Sequence, residues 1–283
     1  MNIKIVTDSG SDITKEEAEK LGIELISMEV SINKKTYLDG DTISADEFYN
    51  QLEECTELPK TSQINPFRFE ELFDRLTKNG DKVIAILLSS KISGTYSNAK
   101  SVESNYNNNV YVVDSYNAAL GQKIIVLLAL QLVKEGKSFE EIIATIEKEK
   151  QRVSIIVLLN TLKYLKMGGR ISPFVAFAGE TLNLKPLVGM VDGEVKLIGK
   201  GRGFIKSKKI INELIAQRGG IDTSLPYGVS YSGTDSSKAI DYIKENASLI
   251  NIDKDVELSQ FGCTIGTHIG PNGIGIAFFN KQK

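Results

Sequence analysis

The chain is poor in the residues that build metal centres and disulfide frameworks. It contains one histidine, His268, and two cysteines, Cys55 and Cys263, among 283 residues. A single imidazole excludes any site that needs two histidines, which argues against histidine-based zinc chemistry. Two cysteines this far apart in sequence fit free thiols in a reducing compartment better than a disulfide framework. We therefore predict a cytoplasmic protein that needs no metal or cofactor.

Strong net charge and long apolar runs are absent as well. The formal net charge is −2, which gives no electrostatic footprint for nucleic acid or for an anionic membrane. The longest apolar run, Ile124 to Leu130, is far too short to span a bilayer. Residues Met1 to Thr7 lack a basic segment followed by an apolar one, so no secretion signal is expected. The sequence predicts neither a nucleic-acid partner nor an integral membrane segment.

Strand-like and helix-like segments alternate over the first half of the chain. The strongest strand is the apolar run Val83–Leu88, after which a helical pattern begins. Thr14 and Glu17 have the spacing of a helix capping box, as do Ser138 and Glu141. The alternation predicts a mostly parallel sheet wrapped by helices. Further strands are predicted at Ile3–Thr7, Glu24–Ile32 and Val110–Val113, helices at Ala45–Glu54, Pro66–Lys78 and Ala118–Lys134, and irregular connections at Lys34–Thr42 and Pro59–Gln63.

The second half has a different pattern. Asp192–Gly193 is a preferred pair for a two-residue turn, so Leu187–Ile198 is predicted as a β-hairpin. Hairpins imply antiparallel pairing, which predicts a mixed α/β sheet. We therefore expect two domains, 1–150 and 151–283, with a ligand buried between them. The other predicted elements are strands at Ser154–Leu159, Tyr227–Tyr231, Val256–Ser259 and Ile274–Phe279 and helices at Thr161–Lys166, Pro173–Asn183, Ile205–Gln217 and Ser236–Glu245.

Ser93-Gly94-Thr95 follows the Val83–Leu88 strand and precedes a helix. In open α/β sheets such a turn directs backbone N–H groups outward, where an anion binds favourably. The alternative is that Ser93 merely caps the helix. Other hydroxyl-rich turns, at Thr7-Asp8-Ser9, Thr61-Ser62-Gln63 and Asp114-Ser115, follow or adjoin other predicted strands. Together they predict one polar crevice between the two domains.

His268 lies in the glycine-rich stretch from Gly262 to Gly275. We interpret this stretch as a loop that lets the backbone approach a ligand closely. It does not match a nucleotide-binding fingerprint, because the strand, helix and Walker lysine are missing at the required spacing. His268 is therefore either a surface residue or a ligand of the crevice.

The chain resembles the DegV family, whose best-understood members are bacterial fatty-acid-binding proteins of the FakB type. The similar blocks occur in the family's order along the whole chain. They are Thr7-Asp8-Ser9 with Asp12, Thr61-Ser62-Gln63, Ser89-Ser90 through Ser93-Gly94-Thr95-Tyr96, Asp114-Ser115, Leu165 to Ile171, Lys185-Pro186 and Ile265 to Pro271.

The resemblance implies a protein that buries one long-chain fatty acid and presents it to a separate ATP-dependent kinase, which makes the acyl phosphate. It assigns the carboxylate to Thr61, Ser93 and His268. It associates Arg170 and Arg202 with the head group or with the kinase, although Gly203 stands where the family often has threonine. A second possibility for Arg170 is capping of the preceding helix. The neighbouring residues Ser62, Gly94, Thr95 and Thr267 are included among the candidate ligand-binding residues.

An apolar channel is needed for the tail of such a ligand. The candidate lining residues are Ile26, Met28, Val30, Pro173 to Ala178, Leu182 and Leu184, each of which could equally be ordinary core.

Two other functions stay open at this point. Ser93 and His268 could act as nucleophile and base of an esterase or thioesterase, with Asp8 or Asp114 orienting the imidazole. No Gly-x-Ser-x-Gly elbow occurs in the sequence, although a triad is defined by geometry. The protein could also be a regulatory lipid sensor. We favour a non-enzymatic carrier, and a monomer.

Overall fold

The computed structural model describes residues 2–171, 183–250 and 256–282. Its strands are β1 (Ile3–Asp8), β2 (Glu24–Ile26), β3 (Glu29–Ile32), β4 (Lys35–Leu38), β5 (Lys60–Ser62), β6 (Lys82–Leu87), β7 (Val110–Asp114), β8 (Val153–Leu158), β9 (Leu184–Val191), β10 (Glu194–Arg202), β11 (Gly228–Tyr231), β12 (Glu257–Gln260) and β13 (Ile274–Phe279). Its α-helices are α1 (Lys15–Leu21), α2 (Ala45–Glu54), α3 (Pro66–Thr77), α4 (Thr95–Glu103), α5 (Ala119–Lys134), α6 (Phe139–Glu149), α7 (Lys163–Met167), α8 (Phe204–Gln217), α9 (Ser237–Glu245), α10 (Ala247–Ile250) and α11 (Cys263–Ile269).

A four-stranded parallel sheet forms the first half of the molecule. Its strand order is β2-β1-β6-β7, and every neighbouring pair is parallel. The central strand β6 is almost entirely buried, in agreement with its continuous apolar run. Thr14 and Ser138 both complete the predicted capping boxes at the starts of α1 and α6. The predicted parallel sheet with helices on its faces is confirmed.

The second half contains a mixed six-stranded sheet of order β10-β9-β8-β13-β11-β12. The predicted hairpin is present as β9 and β10, which pair antiparallel. Asp192 and Gly193 at its turn have φ of 52° and 79°, as a two-residue hairpin turn of type I′ requires. The mixed α/β sheet is therefore confirmed, while the boundary between 1–150 and 151–283 stays a prediction.

A small antiparallel sheet of order β4-β3-β5 departs from the prediction. The single strand predicted over Glu24–Ile32 is wrong, because it is interrupted at Met28, whose N–H donates to Ser9 Oγ and whose carbonyl accepts from Asp39. The predicted irregular connections at Lys34–Thr42 and Pro59–Gln63 also contain strands, β4 and β5. Their short polar sequences have no apolar alternation, so only pairing with β3 reveals them.

Helix α5 links the two larger sheets. It packs against β1 and β6 of the parallel sheet and against β8, β11 and β13 of the mixed sheet. One continuous apolar core accordingly includes Ile86 from β6, Ile125 from α5 and Phe279 from β13. Across the described ranges, no helix combines the length and apolar character needed to cross a membrane. The predicted helix Pro173–Asn183 lies outside the described residues, except for Asn183.

Candidate functional site

An apolar cavity of about 400 Å³ lies between the parallel and mixed sheets. Its volume falls within the range of ~300–1,000 Å³ that is usual for small-molecule sites. Most of its wall is aliphatic or aromatic, with polar groups at a few positions. The lining residues are Met28, Thr61, Ser62, Gln63, Leu88, Ile92, Ser93, Gly94, Ala118, Ala119, Ile155, Val157, Leu165, Arg170, Val188, Gly189, Met190, Val195, Phe261, Thr264, Ile265, His268 and Ile269.

Thr61 and His268 meet at the polar part of this apolar cavity. Thr61 lies on the edge strand β5 and His268 near the end of α11, yet Thr61 Oγ1 and His268 Nε2 are 3.0 Å apart. The two residues are 207 positions apart in sequence, and the fold brings them within hydrogen-bonding distance. Both side chains are half-buried. This pair supplies a hydroxyl and an imidazole to one end of an otherwise apolar space.

The loop predicted around His268 is wrong, because residues Cys263–Ile269 form helix α11. The carboxylate of Asp39 accepts hydrogen bonds from Cys263 N and Thr264 N, at 3.0 and 2.9 Å. It thereby pairs two backbone N–H groups of the first turn that have no acceptor within the helix. Gly266 is needed at this position, since a Cβ there would lie 2.7 Å from the Tyr49 hydroxyl oxygen. Glycine therefore permits close helix packing here, and the helix holds His268 on a rigid element.

The imidazole of His268 is uncharged at neutral pH. Burial, with the nearby Arg170 cation as a second cause, lowers the pKa of His268 from 6.5 to about 4. Its Nδ1 atom is buried beside Gly168, where a Cβ would come within 2.3 Å, and it has no partner within the described residues. A neutral imidazole carries one N–H, so His268 offers one donor and one acceptor.

Ser93 reaches the cavity from the loop before α4. Its Oγ lies 3.0 Å from Thr95 Oγ1 and accepts from Thr95 N at 3.3 Å. The alternative prediction that Ser93 is the N-cap of α4 is wrong, because Gly94 occupies that position. A Cβ at Gly94 would lie only 1.9 Å from Gln63 Oε1. The absence of a side chain at Gly94 thus allows the two polar loops to come together.

Arg170 both lines the cavity and anchors the chain after α7. Its Nη1 donates to Gly168 O at 2.6 Å and its Nε to Ile92 O at 3.3 Å. Arg170 therefore also caps the preceding helix, as the alternative prediction proposed, because Gly168 is the C-cap residue of α7. Because both acceptors are neutral carbonyls, the positive charge lies beside the cavity without a carboxylate partner among the described residues.

Three predicted ligand-binding residues do not line the cavity. Thr95 is fully buried, and its hydroxyl accepts from Ile64 N at 3.3 Å. Thr267 is buried and donates to Cys263 O at 2.9 Å within α11. Arg202 is exposed at the end of β10. The structure therefore brings Thr61, Ser62, Ser93, Gly94, Arg170 and His268 together at the cavity. Of the other three, Thr95 contacts the lining residue Ser93 but does not itself line the cavity.

Among the predicted tail-lining residues, Met28 faces the cavity. Val30 instead belongs to the small core formed by α2 and β3. Ile26 is packed in the main core, and neither Ile26 nor Leu184 lines the cavity. Residues Pro173 to Ala178 and Leu182 lie outside the described residues.

Thr264 and Gln63 are polar lining residues that were not among the predicted ligand-binding residues. Thr264 stands one helical turn before His268, so both project from the same face of α11. Its side-chain oxygen is buried and has no partner in the part of the chain that the structure describes. The i, i+4 spacing would have identified Thr264 if the Gly262–Gly275 stretch had been interpreted as a helix.

The four residues proposed for a catalytic triad, Ser93, His268, Asp8 and Asp114, do not hydrogen-bond to one another. His268 Nε2 bonds to Thr61 and Ser93 Oγ to Thr95, so these two side chains engage other partners. Asp8 accepts from Gly10 N and Leu88 N, and Asp114 from Ser90 N and Tyr116 N. Neither carboxylate therefore orients the imidazole. Residues 2–171, 183–250 and 256–282 also contain no cluster of three or more His, Cys, Asp or Glu side chains that could hold a metal ion.

Comparison with known proteins gives matches along the whole chain. A family model described as "Uncharacterised protein, DegV family" matches residues 2–281. A DegV domain-containing protein of Caldanaerobacter subterraneus is 38% identical over 283 residues, covering 99% of both chains.

Two solved structures are also similar. The structure of DegV from Bacillus subtilis, described as a fatty acid binding protein, is 34% identical with a TM-score of 0.86, over 99% of this chain and 100% of that one. A stearic acid-binding protein of Eubacterium ventriosum is 27% identical with a TM-score of 0.88, over 99% of both chains. The chain described here belongs to the DegV family.

Proposed function

We propose that the protein binds one long-chain fatty acid in the apolar cavity and presents it to a separate ATP-dependent kinase that forms the acyl phosphate. The carboxylate would be held by Thr61, Ser93 and His268. The observation that carries this proposal is the apolar cavity with a hydroxyl–imidazole pair at its polar part. The fatty-acid-binding descriptions of the similar Bacillus and Eubacterium proteins support the same ligand class.

The head-group site has the donors that a buried carboxylate needs. Two hydroxyls, on Thr61 and Ser93, and the imidazole of His268 face the same space. Hydrogen bonds to a carboxylate are shorter and roughly twice as strong as those between neutral groups. Arg170 contributes a positive charge whose hydrogen-bond partners among the described residues are neutral carbonyls. An anionic head group therefore gains both hydrogen bonds and a counter-charge.

The tail supplies most of the affinity. Burial of each methylene gives ~0.8 kcal/mol, so a tail of roughly sixteen carbons gives about 12 kcal/mol before the cost of ordering. Lining side chains such as Val157, Val188 and Phe261 offer no hydrogen bonds, so they select by shape alone. The carboxylate contacts then fix the orientation of the chain.

A carrier role fits the site better than hydrolysis. Ser93 and His268 hydrogen-bond to separate partners, which disfavours a nucleophile–base pair between them. Ser62 and Gln63 are exposed beside the head-group site, which leaves the reactive carboxylate end close to the surface. Arg202, exposed on β10, is assigned to kinase docking. We further propose that the carrier acts in the cytoplasm as a monomer and needs no cofactor.

The test begins with denaturing mass spectrometry of an organic extract of the purified protein. We expect about one fatty acid per chain. Added fatty acid kinase and ATP should convert that lipid to acyl phosphate, whereas a lipid sensor would retain it unchanged. Absence of bound lipid, together with failure to take up added oleate or palmitate, would refute the binding role. Lipid retention without conversion would refute only the carrier role.

A further inference from the structure

A second cavity of about 650 Å³ lies beside the turn of the β9–β10 hairpin. We call it the basic groove and define it by Lys91, Tyr116, Lys150, the turn Asp192–Gly193 and Arg218. Ser89 Oγ donates to Gly193 O at 2.7 Å and ties the turn to the loop after β6. A Cβ at Gly193 would come within 2.9 Å of both Lys91 and Tyr116. The groove therefore forms where the hairpin contacts loops of the parallel sheet.

Arg218 is the unusual group in this groove. It is half-buried, and burial alone lowers the pKa of its guanidinium. Its Nη1 atom is buried without a hydrogen-bond partner, and no carboxylate pairs with the side chain in the described ranges. A desolvated cation with no counter-charge is costly, because its hydration is lost and nothing replaces it.

Arg152 shows what a paired arginine looks like in the same protein. It forms ion pairs with Glu149 and with Asp222, the latter at 2.6 Å. It also donates to the carbonyl of Asn280, a residue that lines the basic groove. The two arginines thus lie in one region, but within the described ranges Arg152 is paired with carboxylates and Arg218 is not.

Of the other charged groups at the groove, only Lys91 adds an unpaired positive charge among the described residues, whereas Lys150 is paired with Glu147. Lys91 is exposed and forms no ion pair in the portion of the chain that is described. Lys150 Nζ is buried near Glu147, at 2.7 Å, and lies 4.9 Å from the Tyr116 ring centroid. Asp192 is the acidic lining residue against these cations. Glu194 lies nearby but is paired with Lys196.

We propose that the basic groove binds a small anion bearing phosphate or carboxylate groups, with Arg218 as the main donor and Lys91 as the second. Guanidinium groups match both kinds of oxyanion through paired N–H donors. The groove is larger than one inorganic ion needs and has the volume of a small-molecule site, so a polyanion of metabolite size fits it. This site is separate from the apolar cavity, with which it shares Met190.

Titration calorimetry with pyrophosphate, inorganic phosphate and citrate tests the proposal. We expect saturable binding of at least one probe, and the preferred probe distinguishes phosphate from carboxylate. Arg218→Gln should weaken that binding by about tenfold or more, the equivalent of one charge-assisted hydrogen bond. Lys91→Gln should weaken it several-fold. Arg75→Gln is the matched control, because Arg75 is exposed, pairs with Glu24 and lies outside the groove.

Two results would overturn the proposal. One is the absence of saturable binding for all three probes. The other is binding that both Arg218→Gln and Lys91→Gln leave unchanged, since the anion would then occupy a different place. Lys91 keeps the test decisive if Arg218→Gln fails to fold, because its exposed side chain has no ion pair to lose among the described residues.

Discussion

The apolar cavity and the basic groove differ in the charge state and the pairing of their side chains. In the apolar cavity the titratable imidazole is neutral, and Arg170 is held by two backbone carbonyls. In the basic groove Arg218 has no partner among the described residues, and Lys91 is exposed. The first arrangement suits a long apolar ligand with a single charged end. The second suits a ligand whose charge is its main feature, so the two sites are expected to differ in ligand class.

The largest expected difference between the two regions is in stability. Phe261 lines the apolar cavity and is fully buried, and its ring occupies the space above Gly275. Phe261→Ala should lower the free energy of unfolding by about 3–5 kcal/mol, because it removes buried contacts and leaves a void. Tyr116→Ala in the basic groove should cost less than about 1 kcal/mol, since that ring is partly exposed. Chemical denaturation of lipid-free protein measures both.

Equal losses for the two variants would mean that the cavity wall is not a packed core. Phe261→Ala should also change which acyl chains are retained, whereas Tyr116→Ala should not. Mass spectrometry of the bound lipid gives that second readout.

Many of the helices, strands and turns could be predicted because short sequence motifs specify them. The capping boxes at Thr14 and Ser138 and the Asp192–Gly193 turn each specify a structure within a few residues. Ser93 could be located by its place after the predicted strand Val83–Leu88, whereas the choice of Thr61 came from the family resemblance. Such local signals determine elements, and parallel-sheet geometry then places the strand ends along one edge.

The features that sequence reasoning missed depend on distant contacts. Strand β5 has no alternating pattern of its own and exists through pairing with β3. Helix α11 could not be predicted because its sequence contains or adjoins Gly262, Gly266 and Gly270, which are typical of loops. Gly266 is required there because a side chain would collide with Tyr49. Thr264 escaped prediction for the same reason. The unpartnered state of Arg218 is a property of tertiary packing and leaves no trace in the local sequence.

The pH dependence of stability should separate the neutral imidazole from other buried groups. The pKa of His268 is about 4 in the folded protein and near 6.5 when unfolded, so the unfolded state binds more protons between these values. The neutral imidazole therefore stabilises the folded protein fully above pH 6.5, and this stabilisation is lost as the pH falls through about 4. We expect the free energy of unfolding to change by about 2 kcal/mol across this range, after allowance for the partial exposure of His268.

Asp8 acts in the opposite direction. Burial raises the pKa of Asp8 from 3.8 to about 6. Its contribution to the free energy of unfolding is therefore fully present below pH 3.8 and is lost as the pH rises through about 6. The two effects overlap, and only the difference between wild type and His268→Gln isolates the imidazole. Because His268 is the only histidine, its titration can also be followed by NMR without assignment. A titration midpoint near 6.5 in the folded protein would contradict the buried, neutral imidazole.

The smallest effect distinguishes two threonines that were both predicted to bind the ligand. Thr61 lines the apolar cavity and contacts His268, whereas the Thr267 hydroxyl donates to Cys263 O inside α11. Thr61→Val should weaken fatty-acid binding by about tenfold, the effect of losing one hydrogen bond to a charged group. Thr267→Val should leave it unchanged, although it makes the same chemical change on a neighbouring element. Competition with a fluorescent fatty acid measures both affinities, and equal losses would remove the basis for assigning the carboxylate to Thr61.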